Sequence, residues 1–84
     1  METPRKYTEA ELRFALEALS DAVSYGVVLR AKGILPAADG EWMYFDYVPG
    51  QIEIRRGGAD VTGRLCVIGS KLDEENLAEL FHLA

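Results

Sequence analysis

The hydrophobic period of this chain switches from helical to alternating at Gly26, and that change limits what the chain can fold into more than any other feature. Upstream, Leu12, Ala15, Leu16, Leu19, Ala22 and Val23 recur at three- and four-residue steps, with Glu9, Arg13, Glu17 and Asp21 mostly off the stripe. Downstream, from Val27 to Leu35, the step is two: Val27, Leu29, Ala31 and Leu35 share one face, Arg30 and Lys32 the other. The first stretch predicts an amphipathic helix, the second a half-buried strand. The helix has its own start signal. Thr8 and Glu11 form a capping box, in which each side chain serves the other's backbone N–H, and Tyr7 faces Leu12 as a hydrophobic staple.

Pro36, Asp39 and Gly40 then supply the chemistry of a tight reversal, and Trp42 to Val48 is rich in aromatic and β-branched side chains that favour a pleated sheet. Pro49 and Gly50 fit a type II turn. QIEIRR alternates Ile52 and Ile54 with Glu53 and Arg55, as a strand with one wet face does. After the glycine-rich loop GGADVTG, the run Leu65-Cys66-Val67-Ile68 predicts an inner strand buried on both faces. Asp73 caps a second helix, with Leu72 and Leu77 as its staple and Glu74 and Glu75 in the first turn, where negative charge complements the helix dipole. The order is helix, four strands, helix. Such segregation predicts an α+β fold: a mainly antiparallel four-stranded sheet with two helices on one face. Arg30 and Lys32 would charge the other face.

At 84 residues, 49% of them hydrophobic and 27% charged, the composition is that of one soluble domain with a modest core. No apolar run approaches the roughly 18 residues of a membrane span. The N-terminal METPRKYTEAELR has no apolar segment after its charges, and one cysteine cannot staple a secreted mini-domain, so the cytoplasm is the expected compartment. A net charge of −5 opposes nucleic-acid binding. Trp42, Tyr44, Tyr47 and Arg30 make an aromatic and basic set, but the aromatic signature of sheet-based RNA readers is missing.

Catalytic chemistry finds little to work with. The nearest approach to a phosphate loop, VIGSKLDEE, puts three acidic residues where the anion would sit. Cys66 and His82 are the only soft metal ligands; they read as a core residue and a last-turn residue, and neither a metal nor a cofactor is expected. An apolar run would hide the Cys66 sulfur from any base. Glu53 and Asp46, on neighbouring strands, read as solvated or cross-strand paired groups rather than an acid/base pair.

VVLRAKGILPAADGEWMYFDYVPGQIEIR followed by VTGRLCVIGSKLDEENLAELF resembles the C-terminal domain of the CobW family, GTP-dependent proteins linked to cobalamin synthesis and metal delivery. The resemblance runs from about Thr8 to Phe81. It is most specific at Leu29-Arg30-Ala31-Lys32-Gly33 and at Gly63-Arg64-Leu65, leading into Ile68-Gly69 and Leu72-Asp73-Glu74. It implies that residues 1–84 are one non-catalytic domain of a longer chain, following a P-loop GTPase domain that holds the nucleotide site and a cysteine-rich metal motif. The implied role is to couple that GTPase domain to a partner or to metal or corrinoid cargo, such as a client metalloprotein or corrinoid protein. Many relatives carry histidine-rich tracts near this region, whereas this sequence has His82 alone.

The resemblance also implies a strand before the first helix, where only METPRK stands, and hence an excised domain whose sheet is short of one strand. Weak homodimerisation through a sheet edge or the bare flank is the corresponding expectation. Arg30, Lys32 and Arg64 are the candidate partner-binding residues. The rival reading is a self-contained domain that binds a small anionic ligand on the same face.

Overall fold

The computed structural model describes residues 2–3, 5–60 and 62–83; Met1, Pro4, Val61 and Ala84 lie outside the described residues, Val61 being part of the expected glycine-rich loop. In chain order the elements are β1 (Glu2–Thr3), α1 (Glu9–Ala18), α2 (Ala22–Tyr25), β2 (Val27–Pro36), β3 (Trp42–Val48), β4 (Gln51–Gly57), β5 (Gly63–Ser70) and α3 (Glu74–Leu80). The strands form one antiparallel sheet in the order β1-β5-β2-β3-β4. The class is α+β as expected, but with five strands and three helices among the described residues in place of four and two.

The extra helix comes from a break in the first one. The capping box forms, with Thr8 Oγ1 accepting from Glu11 N at 3.1 Å and Glu11 Oε1 accepting from Thr8 N at 2.9 Å. That second bond is the main reason the Glu11 carboxyl titrates below its ordinary range. Leu12, Ala15, Leu16 and Leu19 are buried. At Asp21, however, the carboxylate accepts from Val23 N and Ser24 N and opens α2 as its own N-cap. A side chain that bonds the backbone in this way competes with helix continuation. The stripe therefore leaves the core at this point, and Val23 is 98% exposed.

The extra strand is β1, which stands where the sheet is expected to be short of a strand. It is present in abbreviated form, pairing Glu2 with Arg64 and Thr3 with Gly63. Two further expectations fail for reasons of phase. The register of β2 against β5 shifts between Val28 and Arg30, which makes Leu29 the extra residue of a β-bulge. Alternation inverts there, so Val28 is buried while Val27 and Leu29, expected in the core, are exposed. β5 is an inner strand, between β1 and β2, yet only one of its faces is covered. Gly63 and Leu65 are buried, and Cys66 is exposed rather than hidden in the core.

One core joins the helices to one sheet face: Leu12, Leu16 and Leu19, with Leu77 and Phe81, pack over Val28, Ala31, Leu35, Met43, Phe45 and Tyr47. Tyr7 ties this layer together. Its N–H donates to Pro36 O at 2.9 Å, its carbonyl accepts from Ala38 N at 2.8 Å, and its buried hydroxyl donates to Phe81 O. Burial is the leading cause of its raised pKa. Asp73 caps α3 by accepting from Asn76 N at 3.0 Å. His82 lies beyond that helix, at a φ of 58°, and not in its last turn.

Gly26 ends α2 at a φ of 85°, and a Cβ there would sit 2.3 Å from the Lys71 carbonyl oxygen, a contact no real Cβ makes. Strain and collision act together. Gly26→Ala should therefore cost about 2–3 kcal/mol in chemical denaturation, with the m-value unchanged.

Candidate functional site

The face of the sheet away from the helices is bare, and cross-strand register arranges it in rows. One row reads Glu2, Arg64, Ile34, Tyr44, Arg55; the next reads Cys66, Lys32, Asp46, Glu53. These rows frame a groove of about 490 Å³, lined by Glu2, Lys32, Tyr44, Asp46, Arg55 and Arg64 among others. Two of the three sequence-predicted residues, Lys32 and Arg64, thus meet in one place. Arg30 lies farther along β2, beside a smaller hollow of about 200 Å³ shared with Asp46, Val48, Gln51 and Glu53.

The three cations differ in what holds them. Arg30 forms a two-pronged pair with Asp46, Nε to Oδ1 at 3.3 Å and Nη2 to Oδ2 at 3.0 Å. Arg64 does the same with Asp60, at 3.2 and 3.0 Å. Lys32 has no ion-pair partner within 4 Å among the described residues. Asp46 is therefore the counter-ion of Arg30. It faces Glu53 across the β3–β4 ladder, a like-charge pairing that Arg30 relieves. The Arg30 hydrogen bonds are the leading cause that holds the Asp46 carboxyl below its ordinary range; desolvation opposes them, and the charges of Arg30 and Lys32 add to the lowering.

Sequence reasoning missed Arg55 and gave Tyr44 no partner-binding role. Both follow from the two-residue alternation of β3 and β4, which puts them opposite one another on the bare face. The Tyr44 hydroxyl donates to Gly58 O at 2.7 Å, which holds the ring against the start of the glycine-rich loop. On the helical side, Phe14 is 71% exposed and lines a second groove of about 420 Å³ with Ala10, Glu11, Glu79, Leu80 and His82. Among the described residues no group of three histidine, cysteine or acidic side chains is placed to hold a metal ion. No helix among them is long and apolar enough to cross a membrane.

Residues 2–84 match the family model of the cobalamin synthesis protein cobW C-terminal domain. The chain belongs to the CobW C-terminal domain family. Its fold is similar to part of the Zn(II)-bound YjiA GTPase from E. coli, with a TM-score of 0.77 and 22% identity, over 98% of this chain and 27% of that one. A triple mutant of the Zn(II)-bound YjiA GTPase is similar at a TM-score of 0.79 and 20% identity, with the same coverage. This chain therefore spans about a quarter of the length of those neighbours. No curated protein matches it significantly.

On this CobW C-terminal domain the Arg30–Asp46 pair is open to direct test. A carboxyl whose folded pKa is depressed adds stability above its unfolded pKa and loses that stability as pH falls through the folded value. Arg30→Gln should move the Asp46 titration, followed by carboxyl-carbon NMR, upward toward the ordinary range, with Lys32 holding back part of the shift. The stability difference between Asp46→Asn and wild type should vanish in acid.

Proposed function

We propose that this domain is the non-catalytic accessory module of a CobW-like GTP-binding protein. It uses its bare sheet face to couple a P-loop GTPase domain of the same longer chain to a partner or to metal or corrinoid cargo, in the cytoplasm. The observation that carries this reading is the groove between Lys32, Arg55 and Arg64 in a domain that matches the CobW C-terminal model over residues 2–84. An antiparallel sheet tolerates water on one face, but charge gathered around half-buried apolar side chains is the composition of an interface rim and core. Ile34 and the Tyr44 ring supply apolar surface in the same groove.

A second reading keeps the groove and changes its occupant. A volume of about 490 Å³ suits a small anionic molecule, held by Lys32 and Arg55, neither of which has an ion-pair partner among the described residues. Glu2 and Asp46 line the same groove and oppose an anion, which favours a protein surface carrying both signs of charge.

The domain alone should give no calorimetric signal with GTP and Mg²⁺, because it has no glycine-rich phosphate loop or accompanying lysine. Micromolar GTP binding would overturn the accessory role. Lys32→Glu combined with Arg64→Glu should leave the circular dichroism spectrum unchanged. The same double change should weaken docking to a CobW-type GTPase domain supplied in trans about tenfold. Docking that is measurable and unaffected would show that this face is not the docking surface.

A further inference from the structure

β4 is the sheet's long free edge, seven residues from Gln51 to Gly57 with no proline among them, and no described strand pairs with its outer side. Val48 and Gln51 flank the two-residue Pro49-Gly50 turn, which makes theirs a hydrogen-bonded pair. Alternation along the ladder then leaves the N–H and C=O groups of Ile52, Ile54 and Arg56 pointing outward. Such a row is a template for another strand unless side chains forbid the approach.

The side chains here favour one approach. Glu53 and Arg55 stand on the bare face, one on each side of Ile54, and neither has an ion-pair partner within 4 Å among the described residues. We propose that two copies of this chain join edge to edge through β4, antiparallel about a two-fold axis at Ile54, so that Glu53 of each faces Arg55 of the other. Ile54 then meets Ile54 of the partner subunit, and Ile52 lies beside Arg56 of the partner subunit. Arg56 is already neutralised within its own chain, by Asp39 at 3.1 Å and Glu9 at 3.2 Å, so its stem packs on that isoleucine without leaving a charge uncompensated.

Opposite charges directly across a ladder stabilise it and like charges do the reverse, so the same two residues that blunt the edge toward other strands fit it to a second copy. The other side of the sheet has no such match: beyond the two residues of β1, the outer side of β5 from Leu65 to Ser70 carries no charged side chain. The axis runs perpendicular to the sheet. Both helical layers then lie on one side, and the two bare faces merge into one surface, with the charged grooves flanking the seam. A net charge of −5 on each copy opposes association and keeps it weak.

Sedimentation equilibrium across a wide concentration range should show a monomer–dimer equilibrium. Glu53→Arg or Arg55→Glu alone places like charges opposite each other twice and should weaken the dimer about tenfold or more, while the two changes together should restore wild-type association. In the wild type, hydrogen exchange at the Ile52, Ile54 and Arg56 amides should slow as concentration rises, a readout that does not depend on how the variants fold. A strict monomer at all concentrations, equal weakening by the single and double changes, or protection confined to Cys66–Ser70 would each overturn the proposal.

Discussion

One extra residue in the central strand decides what this sheet shows to solvent. Strict alternation through β2 would put Val28, Arg30 and Lys32 on the same face, so burying the valine would drag both cations into the core. Desolvating an unpaired cation costs several kcal/mol, on the order of the whole stability of a domain this size. The bulge at Leu29 removes the conflict. It lets Val28 pack under the helices at one end of the strand and Ala31 and Leu35 at the other, and it turns Arg30 and Lys32 outward.

The helical layer depends on a second constraint, the burial of Tyr7. This residue laces the N-terminal segment to the end of β2 and, through its hydroxyl, to the end of α3, so α1 and α3 are held over the same face. All the apolar covering then lies on one side of the sheet. The other side is left to charge, and cross-strand register brings Lys32, Arg55 and Arg64 around Tyr44. The groove is thus a product of the same packing that makes the core.

Much of this was legible in the sequence where only one phase fitted the residues. Ile52 and Ile54 alternate with Glu53 and Arg55, and β4 turns the first pair toward the core and exposes the second. Thr8 and Glu11 announced their capping box, and Gly26 its stop. Elsewhere the residues fitted two answers. Val27, Val28 and Leu29 are all apolar, so either phase of β2 was consistent and the bulge left no trace. Leu65-Cys66-Val67-Ile68 hides its alternation in the same way, so nothing local marks Cys66 as the exposed member of the run. Asp21 read as a charge off the helical stripe although it caps α2. At the site, Arg30 and Lys32 were visible as charges in a greasy strand. The capture of Arg30 by Asp46 and the addition of Arg55 depend on strand register, which no local pattern specifies.

We propose an accessory module whose working surface is the sheet, with its helices as structural backing; family membership and the bare charged face support that reading. The most direct test is backbone NMR shift mapping of the labelled domain during titration with a GTP-loaded CobW-type GTPase domain. The account predicts that shifts concentrate at Lys32, Tyr44, Arg55 and Arg64 on the bare face. Shifts confined to the helical groove around Phe14 and Leu80 would contradict it.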